Sequence, residues 1–198
     1  MNIWDHSRIS VRKFGGKERD YFPIHKFIDS SKLFYFHAKH RLLLHHLWGI
    51  ELCILKFGDL VSLDSGRQIL VRDIAAEHIK EDLLGRVPSI SDWLTGNETD
   101  LISDDEIPEI EDKNLNYFIN QPLLKSNLKS SLLITYSDFG VYLANEFLGK
   151  ELAIELHKTL PNRKPVSYYL QKFQFTEKWQ FSPDPKELAW LKEQNHEH

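Results

Sequence analysis

Residues 34–51, FYFHAKHRLLLHHLWGIE, set four histidines (His37, His40, His45 and His46) among leucines and aromatics. Their reading decides the fold. Apolar positions recur at helical spacing from residue 32 to residue 57, and Gly58 follows as a terminator. The pattern predicts one long amphipathic helix over 32–57. The imidazoles are then either core residues or one wall of a polar site. On a helix, side chains meet when they are three or four residues apart. His37 and His40 satisfy that spacing. His40 and His45 are five apart, about 140° round the helix, and His45 and His46 point to different faces. The stretch cannot build a compact site alone, so partners must come from other segments.

Two segments supply partners. HKFID places His25 and Asp29 at i and i+4, and HIKED places His78 and Asp82 at i and i+4, with Glu81 between them. Each pair presents an imidazole and a carboxylate on one helix face. This suits a first-row metal, or a carboxylate that orients a histidine. The candidate ligands are His25, Asp29, His45, His78 and Asp82, with His40 in reserve. A shell of nitrogen and oxygen donors favours Zn, Mn, Fe or Ni over a thiolate-selected metal. Glu81 is the candidate general base on metal-bound water. Arg41 and Lys32 are the candidate grips for a small anionic, phosphorylated ligand. The bland alternative is a set of histidines hydrogen-bonded to carboxylates that tie three helices together. His37 and His46 fit that alternative best.

Gly49, one turn after His45, lowers helix stability by roughly 1 kcal/mol relative to Ala. Either another backbone approaches there or two helices pack closely. RKFGGK at 12–17 lacks the spacing of a phosphate loop and reads as a turn.

Composition narrows the classes. The chain has 198 residues, 41% of them hydrophobic, with five tryptophans and twelve phenylalanines, which is enough for a real core. A net charge of −4 gives no global basic field for nucleic acid. One cysteine, Cys53, excludes an internal disulfide framework and a thiolate zinc cluster. No run approaches a membrane span, and the N-terminus has no apolar signal core, so the cytoplasm is the expected location.

Charge divides the chain. Residues 98–114 contain eight acids and one lysine, whereas the flanks are nearly neutral. The expected organisation is a His-rich helical domain over 1–97, an acidic linker over 98–114 and a mostly helical accessory region over 115–198. In the first part, Pro23 should sit in the first turn of a helix reaching Asp29. LVSLDSGRQILVRD should form two short strands around Asp64-Ser65-Gly66, and Asp73 should cap a helix over 74–84. Further on, helices are expected at SDFGVYLANEFLG and KELAIELHKTL, a strand at VSYYLQKFQF and a last helix from Pro185 to Leu191. No internal repeat is evident.

SVRKFGGKERDYFPIHKFIDSSK, HRLLLHHLWGI and VRDIAAEHIKEDLLGRVPSISDWL together resemble a small family of uncharacterised phage and bacterial proteins, over about residues 5–94. The resemblance implies that His25, Asp29, Lys32, Arg41, His45, His78, Glu81 and Asp82 hold motif positions, and it implies no activity. The expected fold is mainly α with a small β-hairpin. The expected function is metal binding with hydrolase activity. The rival is a non-enzymatic protein that binds a protein partner through the aromatics Tyr168, Tyr169, Phe173, Phe175, Trp179 and Phe181.

Overall fold

The computed structural model describes residues 1–96, 101–102, 107–160 and 164–176, and these are mainly α-helical with one two-stranded hairpin. They fall into two compact units. The first is residues 1–31 and 43–90; the second is residues 32–42 together with the chain from residue 91 onward.

The first unit begins with α1 (Ile3–Phe14), whose first turn is capped by the Asn2 side chain accepting from Asp5 N at 3.0 Å. The buried face of α1 is polar, made of His6, Ser7 and Ser10, while Trp4 is 53% exposed. A helix that turns its polar face inward must cover polar groups. Gly15 and Gly16, both at positive φ, turn the chain into α2 (Glu18–Asp29). Lys17 in this turn donates to Asp64 Oδ2 at 2.6 Å. Pro23 lies inside α2, not in its first turn. It sits on the exposed face, where the carbonyl it leaves without a donor meets water.

The single long helix expected over 32–57 is broken. A 3-10 turn (Ala38–His40) leads into a one-turn helix, α3 (Arg41–Leu44), and after a break at His45 and His46 α4 (Leu47–Phe57) begins. The cause is capping by imidazole. His46 is extended at φ −158° and ψ 176°, and its Nδ1 accepts from Gly49 N at 3.2 Å. His37 Nδ1 accepts from Lys39 N at 3.3 Å in the same way. Gly49 permits the corner, because a Cβ there would lie 1.8 Å from the Leu44 carbonyl oxygen. The approaching backbone is the chain's own.

Strands β1 (Leu60–Ser62) and β2 (Gln68–Leu70) pair antiparallel, Val61 opposite Ile69, around Gly66 at φ 81°. α5 (Val71–Asp82) follows directly, so Asp73 lies in its first turn. α2, α4 and α5 pack against one another, and α1 packs on α2 and α5. Tyr21, Ile24, Ile28, Trp48, Leu52, Cys53, Ile74 and Ile79 form the apolar core of this unit.

After α6 (Ile90–Trp93), the second unit contains α7 (Lys113–Ile119), α8 (Gln121–Ser126), α9 (Leu132–Thr135), α10 (Asp138–Phe147), α11 (Lys150–Thr159) and α12 (Val166–Lys172). VSYYLQKFQF is therefore a helix, not a strand, over most of its length. Pro165 sets its entry, and the buried pair Val166 and Leu170 has helical spacing. Only Phe175 pairs as a strand, in a bridge to Leu94. The segment 32–42 packs in this unit, with the Phe34 ring 5.0 Å from Phe139. Seven of the seventeen residues of the acidic segment, the expected helix from Pro185, and Trp179 and Phe181 lie outside the described residues. No helix among the described residues is long and apolar enough to cross a membrane.

Candidate metal centre

Asp29 is the last residue of α2, His45 stands in the corner before α4, and His78 and Asp82 are one turn apart on α5. Three separate elements thus deliver four donors to one point. One ligand atom from each residue lies within 4.8 Å of all the others. His78 Nε2 is 3.3 Å from His45 Nε2 and 3.6 Å from Asp29 Oδ1. His45 Nε2 is 3.3 Å from Asp82 Oδ2 and 3.8 Å from Asp29 Oδ1. Donors at about 2.1 Å from a common tetrahedral cation would stand about 3.4 Å apart. These four separations, 3.3–3.8 Å, lie near that spacing.

The four side chains are 3% exposed or less. Burial dominates the electrostatics of the two imidazoles. It lowers His45 to about 4, only partly opposed by its hydrogen bond with Asp82. It also lowers His78, against a hydrogen bond with Asp29. The imidazoles are therefore neutral near pH 7, the form that ligates metal, and their contacts with the carboxylates are not ion pairs. In ionised form the two carboxylates bring two negative charges into this buried space, which costs several kcal/mol per ion without compensation.

His25, on the same face of α2 as Asp29, stands one step behind the four. Its Nδ1 is 3.0 Å from His78 Nδ1, and its Nε2 is 2.9 Å from Ser10 Oγ. Burial, then the neighbouring His78 and His6, lowers it to about 2. It is suited to orient His78: with His78 Nε2 facing the centre, His78 Nδ1–H donates to His25, and His25 Nε2–H donates to Ser10.

Glu81 contacts His6, Oε2 lying 2.5 Å from Nδ1. His40, Arg41 and Lys32 belong to the second unit and are not among the four. The sequence reading gave no role to His6 or Ser10. The signal was their i,i+4 spacing on one face of α1, with Ser7 beside them. A pocket of about 460 Å³, lined by Asp138, Tyr142, Lys150 and His157 among others, lies in the second unit and includes none of these residues.

The family described as Domain of unknown function (DUF6915) matches residues 1–101, a span that holds His6, His25, Asp29, His45, His78, Glu81 and Asp82. No curated protein and no solved structure matches the chain. The chain belongs to that family.

Proposed function

We propose that this DUF6915 member carries a divalent metal centre at Asp29, His45, His78 and Asp82, and that the centre serves hydrolysis of an anionic substrate. The observation that carries the reading is the charge balance at one buried point. Two carboxylates face two imidazoles held neutral, with the Met1 ammonium 3.6 Å from Asp82 Oδ1, and a divalent cation would balance the remaining charge and accept all four donors. Zn, Mn, Fe and Ni all accept such donors. The metal supplies Lewis acidity and lowers the pKa of a water. Glu81, next to Asp82, is the proton acceptor of this reading, and its Oε1 makes no hydrogen bond in the buried state. The reading does not draw on Lys32 or Arg41.

The closure of the centre favours one second reading. With every donor side chain at 3% exposure or less, a substrate larger than water reaches the donors only if the surrounding elements part. A metal that never meets substrate would instead serve as a structural tie in a protein-binding module. Two measurements separate the readings. Elemental analysis of the purified chain should give one divalent metal per chain, and hydrolysis of an activated phosphodiester should follow metal loading. Metal-linked stabilisation without turnover on phosphoesters would select the structural tie. A chain that takes up none of the four metals would end both.

A further inference from the structure

His6 is fully buried, and its two ring nitrogens face different carboxylates. Nδ1 lies 2.5 Å from Glu81 Oε2, while Nε2 makes no hydrogen bond and points at Asp82 Oδ1, 3.6 Å away. The first contact fixes the tautomer. With Nδ1–H donating to Glu81, Nε2 is the ring nitrogen left to ligate a metal. That nitrogen faces Asp82 Oδ1, a second acceptor, which also lies 3.6 Å from the Met1 ammonium nitrogen. A cation between Nε2 and Oδ1 would be coordinated by both. Asp82 has the matching shape, since Oδ2 is turned to His45 and Oδ1 to His6. The His6 ring also stacks on His78, with centroids 3.8 Å apart and planes at 24°, which places it next to one of the four donors.

We propose that His6 is a further ligand of the metal centre, through Nε2, and that Glu81 is the carboxylate that orients it. This rests on the metal reading above and extends it from four donors to five, with three imidazoles and two carboxylates. It also explains why α1 buries a polar face: the helix brings a ligand. Glu81 Oε2 holds the imidazole, and Oε1 is left for proton transfer.

The test uses the full chain loaded with Cu(II) and, separately, with Co(II). Nitrogen hyperfine structure in the Cu(II) resonance spectrum should report three imidazoles in the wild type and two in His6→Gln. That variant keeps the volume and a donor for Glu81 but has no ring nitrogen. The Co(II) visible bands should change in the same variant, and affinity should fall at least tenfold. Glu81→Ala should weaken binding by about 10- to 100-fold while keeping three nitrogens. In His6→Ala, added imidazole should restore the wild-type spectrum. An unchanged nitrogen count and affinity in His6→Gln, with metal still bound, would overturn the inference and leave the four-donor centre standing. Absence of metal binding in the wild type would overturn the centre itself.

Discussion

The corner that carries His45 occurs twice in this chain. In one region a 3-10 turn (Ala38–His40), the one-turn helix α3, two residues of break and α4 follow one another. In the other, a 3-10 turn (Lys129–Ser131), α9, a break at Tyr136 and Ser137, and α10 follow at a constant offset of 91 residues. Gly49 and Gly140 occupy the same place, and a Cβ on either would collide with the carbonyl oxygen five residues before it, at 1.8 Å and 1.6 Å. The preceding helices correspond too: Ile24, Phe27 and Ile28 match Leu115, Phe118 and Ile119, all buried. Phe27 packs on Phe57 with centroids 6.1 Å apart, and Phe118 packs on Phe147 at 5.8 Å. After the corner, Ile74, Ala75 and Glu77 on α5 match Leu152, Ala153 and Glu155 on α11, where Gly149 replaces the hairpin. The expectation of a chain without internal repeats is corrected by this correspondence.

The difference lies in the polar positions. Asp29 corresponds to Asn120, His45 to Tyr136, His78 to Leu156 and Asp82 to Leu160. Asn120 Nδ2 donates to Asn116 Oδ1 at 2.8 Å, and Asn116 stands where His25 stands. Tyr136 forms a side-chain hydrogen bond with Asn120. One backbone plan is therefore closed in two ways, once with neutral hydrogen bonds and leucines and once with imidazoles and carboxylates. The fold does not require the charged set. That argues for a ligand as its reason, since an apolar or neutral filling of such a space is commonly the more stable choice.

The most severe way to break the comparison is to write the second region's residues into the first. The fourfold variant Asp29→Asn, His45→Tyr, His78→Leu, Asp82→Leu should stay folded by circular dichroism and retain no metal by elemental analysis. Failure to fold would show that the positions are not equivalent. Gly49→Ala and Gly140→Ala come next. At an ordinary helical site the change is worth about 1 kcal/mol in favour of Ala. Here both should destabilise, by roughly 3 kcal/mol, because a backbone oxygen has to move. Urea unfolding reads each, and a stabilising result at either would remove the shared corner.

Removing one ligand is milder. His78→Ala should abolish most of the metal-linked stabilisation, about 2.7 kcal/mol at a hundredfold excess over the dissociation constant. His37→Ala should leave that stabilisation intact, while loss of its cap bond costs about 1 kcal/mol. Thermal unfolding with and without zinc and manganese distinguishes the two. The pH dependence of the metal-free chain sharpens the contrast further. His45 sits near 4 when folded and returns to about 6.5 when unfolded, so between these values the unfolded state holds the extra proton. Stability should be complete above about 6.5 and fall toward pH 4, by about 1.4 kcal/mol per unit from this residue. The fourfold variant should show a shallower slope.

The sequence by itself determined what depends on near neighbours. The i,i+4 pairs His25/Asp29 and His78/Asp82 follow from 3.6 residues per turn, and Asp64-Ser65-Gly66 makes a turn wherever it is placed. Gly49 was legible as a crowded position, open between a close approach and a helix-packing contact. The tertiary structure alone decided the rest. Whether residues 32–57 form one helix depended on His37 and His46 accepting backbone protons, an alternative that hydrophobic periodicity does not register. His6 joined the cluster because α1 packs its polar face on α2 and α5, a long-range burial choice that no local pattern encodes. The repeat stayed hidden because burial preserves the size and polarity of a position, not its identity, and the polar positions that would have marked the second copy hold Asn120, Tyr136, Leu156 and Leu160.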